Sequence, residues 1–380
     1  MSRILIAMSG GVDSSVAAAL LKRAGHDVVG VTMRLTDTSP TLVRGAHSCC
    51  APEDIEDARR VADAIGIPFF VVNYRERFRE QVIDYFVDSY ARGETPNPCA
   101  KCNEYVKFDA LWDHAMKLGC EMLATGHYAR ITPDGRLARG HDADKDQSYF
   151  LFTLTAEQIA RTLFPVGTLA KTEVRRLAAE MNLPVAVKPD SQEVCFVPAN
   201  DTRGFVSDEL RKKASLLGKG TIETADGRVI GHHDGIHQFT VGQRRGLGVS
   251  GTGDPVFVIR IDPELNRIIV GDDRETYSPD ALVRLSRPDF FEPGSEFTAS
   301  VQIRHRHHPA TARIQVHMDA SHATVWFDEP QRAVTPGQAA VFYDGDTVIG
   351  GGWIQRARAM GAPIGRTELR PAALPRDIHS

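Results

Sequence analysis

From Arg3 to about Gly126 the chain alternates short apolar runs with amphipathic segments. Ile4-Leu5-Ile6-Ala7-Met8, Val28-Val29-Gly30-Val31-Thr32-Met33, Pro68-Phe69-Phe70-Val71-Val72 and Met122-Leu123-Ala124-Thr125 read as strands. Helices are predicted over Glu53–Gly66, Tyr74–Tyr90 and Glu104–Leu118, the last two ending before Gly93 and Gly119. This βαβ rhythm predicts an α/β fold with a doubly wound parallel sheet. A further helix is predicted over Lys171–Asn182, where Val174, Leu177, Ala178 and Met181 recur at helical spacing. After about Asn200 the chain turns glycine-rich and basic, with Arg211-Lys212-Lys213 and Gln243-Arg244-Arg245-Gly246, and reads as a small mixed, strand-rich module to about Gly271. Beyond it the period becomes two. Phe297, Ala299, Val301 and Ile303 alternate with polar residues, and Ala312, Ile314 and Val316 repeat the pattern, as strands of a small β-barrel do. The expected divisions are 1–205, 206–275 and 276–361, followed by a loose Pro/Ala-rich tail over 362–380.

Composition narrows the class. At 380 residues the chain is too long for one ordinary core. Its 42% hydrophobic and 25% charged residues suit a globular protein rather than a disordered or membrane one. No apolar run approaches the roughly 20 residues that span a bilayer. The N-terminal run ends in a glycine turn without a cleavage-like segment, so a strand and a cytoplasmic location are expected, with no membrane partner. Six cysteines are too few for a disulfide scaffold. With a net charge of −4, any nucleic-acid contact needs a local basic patch. Residues 297–380 carry nine Lys and Arg against seven Asp and Glu, and Arg304-His305-Arg306-His307-His308 ends one strand there. A solvated, charge-guarded edge would look the same.

The first strand runs into Ser9-Gly10-Gly11-Val12-Asp13-Ser14-Ser15 and then into the apolar helix start Val16-Ala17-Ala18-Ala19. Two adjacent glycines let backbone N–H groups converge, the serines add hydroxyls, and a helix N-terminus adds partial positive charge, so the turn wants an anion. A Walker A loop is excluded because no Lys lies between Ser9 and Leu21, and GxGxxG is absent. A small-residue turn with an Asp cap is the plain alternative. Further on, Thr95-Pro96-Asn97-Pro98-Cys99-Ala100-Lys101-Cys102-Asn103 has two prolines, which predict a stiff, non-helical loop before Glu104. Its Cys-x-x-Cys is redox-active, half of a metal site, or chance; no second pair of similar spacing follows. Cys49-Cys50 reads as an ordinary loop pair and Cys120 as core. Cys195, in the strand-like apolar stretch after Asp190, taken alone reads as a buried core thiol.

The loop resembles the SGGxDS signature of PP-loop ATP pyrophosphatases, which split ATP between its α- and β-phosphates. Beside SGGVDSS, the stretches TPNPCAKCN, ATGHYAR, KDQSYFL, DSQEVCF, TVGQRRGLG, TPGQAAVFYDG and GGGWI stand in the order found in the tRNA-specific 2-thiouridylase family. The resemblance covers nearly everything from Arg3 to about Ile354. It implies ATP-dependent replacement of the 2-carbonyl oxygen of the wobble uridine by sulfur in tRNAs for Lys, Glu and Gln. Cys195 would carry the sulfur as a persulfide and Cys102 would attack or release it, with Lys101 near enough to lower a thiol pKa. ATP would contact Ala7, Met8, Ser9, Gly10, Gly11, Val12, Asp13 and Ser14, with Met33 and Gly126. Asp13 would hold Mg²⁺. Asn97, Pro98 and Cys99 would meet the flipped base. His127, Lys145, Asp146, Gln147, Arg304, His305 and Gln338 align with tRNA-contacting positions. A sulfur-donor or sulfur-relay protein is the implied second partner.

One departure changes the chemistry on offer. Many members have Asp where this chain has Cys99, so Cys99, Cys102 and Cys195 could instead hold a [4Fe–4S] cluster. Outside the family the rivals are another PP-loop adenylating synthetase with a small-molecule substrate, and a non-catalytic tRNA-binding or sulfur-carrier protein.

Overall fold

The computed structural model describes residues 1–36, 52–190, 194–215, 218–249 and 254–357. Cys49, Cys50 and the tail over 362–380 therefore lie outside the described residues. Two compact units emerge: residues 1–92, 96–217 and 343–349 form the first, and the remainder the second.

The first unit is built on a five-stranded parallel sheet. Its strands are β1 (Arg3–Ala7), β2 (Asp27–Arg34), β3 (Phe69–Asn73), β4 (Met122–Thr125) and Thr162–Leu163, in the spatial order β3-β2-β1-β4 and then Thr162–Leu163. Ala7 lies opposite Val31 on one side and Thr125 on the other. Successive residues of β1 feed opposite faces. Leu5 and Ala7 join a core with Val29, Val31, Met33 and the helical segments between residues 75 and 117, whereas Ile4, Ile6 and Met8 join one with helices α1 (Val12–Arg23) and α2 (Pro52–Ile65) and the helix Lys171–Glu180. Burial on both faces explains why these strands are apolar throughout rather than alternating. Strand order reverses between β1 and β4, and that is where a doubly wound sheet leaves a crevice beyond its strand ends.

Two long helical stretches on the first face change register midway. Residues 75–91 run α, then π over Arg79–Asp84, then α again; residues 98–117 do the same, with π over Asn103–Ala110. The second begins at Pro98, six residues before the expected Glu104. Proline at the first helical position needs no N–H, and the Asn97 side chain caps by accepting from Ala100 N at 3.1 Å. The Cys-x-x-Cys is thus on a helix and not in a loop. Cys195 is likewise in a turn rather than a strand.

The second unit holds a four-stranded sheet, ordered Phe257–Asp262, Arg267–Gly271, Gly220–Thr224, Val229–His233, and the strands of an antiparallel barrel. Six strands make that barrel, and Tyr277–Leu285 closes it by pairing with both His322–Arg332 and Thr347–Ala357. Period-two burial is as expected: Ala299, Val301, Ile303, Ala312, Ile314 and Val316 point inward. No helix among the described residues is long and apolar enough to cross a membrane.

An aromatic group fixes the turn bearing Cys195. The Phe196 ring meets Phe78, Phe86 and Phe205 edge-on or tilted, with centroids 5.7, 5.1 and 5.6 Å away. Edge-to-face pairs add to the area they bury. Phe196 is half-buried, so Phe196→Ala should cost about 2–3 kcal/mol, read by chemical denaturation, while Phe196→Leu costs less. An unchanged denaturation midpoint in the alanine variant would show that the ring group does not anchor the turn.

Candidate functional site

The chain leaves β1 at Ala7 and is gripped at once. Met8 N donates to Val31 O at 2.8 Å and Thr32 Oγ1 to Met8 O at 2.7 Å. Gly10 takes φ +72°, and a Cβ there would stand 2.2 Å from the Asp54 carbonyl oxygen, so both conformation and space demand glycine. Gly11 caps α1 in extended conformation. Gly126, at the end of β4, lets the start of α1 approach: a Cβ would lie 2.5 Å from Ser14 N. The serines brace the loop more than the sequence suggests. Ser14 Oγ accepts from Ser9 N at 3.1 Å and donates to Gly11 O at 3.2 Å, and Ser15 Oγ donates to Gly11 O at 2.8 Å.

The loop has no lysine of its own, but the fold brings cations to it. Lys171 Nζ donates to Asp13 Oδ1 at 2.6 Å and to Asp190 Oδ1 at 2.9 Å. Tyr128 OH donates to the same Asp13 oxygen at 2.8 Å. Lys188 Nζ bonds Gly10 O at 3.0 Å and the Asp54 and Asp57 carboxylates. Lys145 and Arg175 also converge on Asp190, at 2.9 and 2.6 Å. Partial burial by itself would raise the Asp190 carboxyl; hydrogen bonds from Lys145 and Lys171, and their charge, outweigh it and hold it down to about 2. Sequence reasoning missed Lys171, Arg175, Lys188 and Asp190. They lie 158 or more positions beyond Asp13; Asp190 opens the DSQEVCF stretch, whereas Lys171, Arg175 and Lys188 belong to none of the quoted stretches and only the sheet topology signals their role.

The thiols lie on the other face of the sheet. Cys99 is exposed, Cys102 buried and Cys195 half-buried. Cys102 belongs to the apolar cluster that contains Ala7 and Met33, and Cys195 packs against that cluster. Lys101, expected beside a thiol, holds Glu104 at 2.9 Å and lies over the Tyr105 and Tyr85 rings. Pro98 and Asn97 are buried at the helix start. His127 follows Gly126. Its Nδ1 is 2.7 Å from Thr125 Oγ1, its Nε2 is 3.5 Å from Lys107 Nζ, and its ring lies near Phe108 and Phe164. Burial, and then the Lys107 charge, hold the imidazole well below its ordinary value, so it is neutral at neutral pH.

The three neighbours Lys145, Asp146 and Gln147 do separate jobs. Lys145 pairs with Asp190. Asp146 is buried and accepts from Gly140 N, Ser148 N, Ser148 Oγ and Arg139 Nη1, all within 2.9–3.0 Å. Gln147 Oε1 accepts from Tyr128 N at 3.0 Å, which sets the phenol that reaches Asp13.

Arg304, His305 and Gln338 belong to the second unit. Gln302 Nε2 donates to the carbonyls of Arg304 and His305 at 3.2 and 2.7 Å, shaping an exposed turn, and Arg304 Nη1 donates to Arg332 O at 3.0 Å. Gln338 Nε2 donates to Thr95 O at 3.0 Å. Burial and then the Arg304 charge lower His307 to about 4, so its ring adds no charge to that turn at neutral pH.

Among the described residues no three Cys, His, Asp or Glu side chains are grouped so as to hold a metal ion. Asp13 is a single carboxylate beside a loop built for anions, which suits Mg²⁺ completed by phosphate oxygens.

Three family models match the chain in succession. Residues 2–199 match a tRNA methyl transferase HUP domain, 203–272 a tRNA methyl transferase PRC-barrel domain, and 282–354 an aminomethyltransferase β-barrel domain. A Geobacter metallireducens protein named tRNA-specific 2-thiouridylase MnmA is 50% identical over 367 residues, covering 94% of this chain and 98% of that protein. The proteins of the same name from Solibacter usitatus and Carboxydothermus hydrogenoformans are 51% and 45% identical, each covering 93% of this chain and 99% and 98% of their own. With the first model matching more than half of the residues and such relatives spanning nearly all of them, the chain belongs to the tRNA-specific 2-thiouridylase family.

Proposed function

We propose that the chain is a tRNA-uridine 2-sulfurtransferase that uses ATP to thiolate the wobble uridine of tRNAs for Lys, Glu and Gln. The observation that carries the reading is one compact unit holding both an anion loop ringed by lysines and two thiols on a single apolar cluster, which also includes Ala7 and Met33. A uracil carbonyl has no leaving group, so the oxygen must first be made into one. The uridine O2 attacks the α-phosphorus of ATP, the bond to the β-phosphate breaks, and pyrophosphate leaves. ATP lies on Ala7, Met8, Ser9, Gly10, Gly11, Val12 and Ser14, with Met33 and Gly126 beside it. Asp13 holds Mg²⁺, whose charge would neutralise the phosphates when bound.

Sulfur then displaces AMP. Cys195, loaded as a persulfide by a sulfur-donor protein, attacks C2 through its terminal sulfur, and the C2–O bond breaks to release AMP. The Cys102 thiolate attacks the Cys195 sulfur, the S–S bond to the transferred sulfur breaks, and a Cys102–Cys195 disulfide is left with 2-thiouridine. The wobble base reaches this chemistry flipped out of its stack, against Asn97, Pro98 and Cys99. His127, Lys145, Asp146, Gln147, Arg304, His305 and Gln338 bind or position the tRNA, Asp146 and Gln147 by holding their loop.

Asp13→Asn keeps an oxygen for Tyr128 and loses the charge, so tRNA-dependent pyrophosphate release should fall roughly 100-fold, in a variant that still folds but melts lower because Lys171 loses one of its two carboxylate partners. Release at the wild-type rate would remove Asp13 from the nucleotide site. Cys102→Ser and Cys195→Ser should each abolish thiolation under anaerobic conditions while Cys99→Ser retains most of it; loss in Cys99→Ser together with bound iron in the wild type would favour a cluster instead. Neutralising Arg304 and Arg306 together should weaken cognate and non-cognate tRNA alike and lower the salt slope by about 1–2, measured by filter binding across salt concentrations.

A further inference from the structure

The sulfur transfer proposed above ends on a Cys102–Cys195 disulfide, and a second round cannot start until that bond is opened. Opening it by thiol exchange requires an attacking thiolate to reach one of the two sulfurs along the S–S axis. Cys102 is closed to solvent, 8% exposed within the apolar cluster that also holds Ala7 and Met33. Cys195 is half-buried, in a turn fixed by the Phe196 ring among Phe78, Phe86 and Phe205. It is also the sulfur that must be loaded again, so a reductant attached there blocks the donor. Cys120 is 3% exposed, and burial pushes its thiol up, away from the reactive thiolate. Among the described cysteines Cys99 alone is exposed. It stands three residues before Cys102, in the first turn of the helical stretch over 98–117. That spacing places the two Cβ atoms on one face about 5–6 Å apart, whereas a disulfide needs about 3.5–4.5 Å. A first turn can close the difference, because its N–H groups have no acceptor four residues back. The stretch also leaves α geometry at Asn103, directly after Cys102, so the turn carrying both thiols is not locked to a regular helix below it.

We propose that Cys99 and Cys102 form a redox pair that carries the disulfide from the buried site to the surface, where a dithiol reductant removes it. This rests on the persulfide reading above. The Cys99 thiolate, its proton lost to solvent, attacks the Cys102 sulfur. The Cys99–Cys102 bond forms, the Cys102–Cys195 bond breaks, and Cys195 leaves as a thiolate ready for the donor. That exchange moves no net electrons. A thiolate of the reductant then attacks the Cys99 sulfur and its second thiol resolves the mixed disulfide, so two electrons return Cys99 and Cys102 to thiols while the reductant becomes a disulfide. Cys99 acts only after the transfer, and the thiolation expected of Cys99→Ser is therefore that of a single round.

The test uses the full chain without tRNA or ATP. Wild type, Cys99→Ser and Cys195→Ser are oxidised anaerobically with one equivalent of diamide and their linkages mapped on tryptic peptides, since trypsin cuts after Lys101 and so separates Cys99 from Cys102. Cys195→Ser should hold a Cys99–Cys102 bond, Cys99→Ser a Cys102–Cys195 bond, and wild type both in exchange. Dithiothreitol should then reduce the oxidised wild type about tenfold or more faster than Cys99→Ser, because access to the attacked sulfur sets the rate. Absence of the Cys99–Cys102 bond in Cys195→Ser overturns the pair. Absence of the Cys102–Cys195 bond in Cys99→Ser overturns it as well, by removing what the pair is to carry. Equal reduction rates in wild type and Cys99→Ser overturn the surface route. Wild type that meets all three expectations and yet thiolates no wobble-uridine tRNA refutes the function proposed above and leaves the redox pair standing.

Discussion

Lys171 is an ammonium with almost no access to water, held between two carboxylates that come from opposite ends of the catalytic unit. Deleting one partner of a buried ion pair typically costs about 3–5 kcal/mol, because the other charge is left stranded. The contact therefore ties the first turn of α1 to the helix Lys171–Glu180 and to the segment ending at Asp190. Lys188 makes a parallel tie, from the segment just before Asp190 to the Gly10 carbonyl and to α2. Between them the two lysines set where the glycine turn sits, and Gly126 sets how closely β4 can approach it.

A second layer of constraint runs through Tyr128. Its backbone N–H is held by Gln147 and its hydroxyl by Asp13, while the loop carrying Gln147 is itself pinned by the four hydrogen bonds of buried Asp146. Arg139, one of the Asp146 donors, lies 3.6 Å from the centre of the Tyr343 ring. Tyr343 OH in turn is 3.1 Å from Ser148 Oγ. A polar network this fully satisfied favours one geometry over many, since any loosened member would leave a buried group unpaired. The loop over 140–148 is thereby rigid scaffolding as well as a candidate contact surface.

Much of this was legible in the residues. The four apolar runs are strands because both faces of the sheet are covered, and the period-two stretches are barrel strands because only one face is. The glycine turn was legible because its φ and its close approaches admit little else. What escaped was whatever depends on distant pairing. Lys171 and Lys188 carry no spacing signature, the DSQEVCF stretch does not say what its Asp190 meets, and the roles of Lys145 and Asp146, adjacent in sequence, diverge only once their partners are known. The helix at Pro98 escaped for a local reason. Two prolines suggest a break, but a proline at the first helical position behind an Asn cap starts a helix as well as it interrupts one.

The π-helical turn over Asn103–Ala110 carries a consequence for how the chain can vary. A π turn takes in one residue more than an α turn, and one residue on a helix amounts to about 100° of rotation. The segment thus acts as a phase adjuster between Cys99 and Cys102 upstream and Leu111 and Ala115 in the core downstream. A one-residue deletion within it would convert the turn to ordinary α geometry with its hydrogen bonds intact. The two thiols would then rotate to a different azimuth, in a protein whose composition and core had scarcely changed.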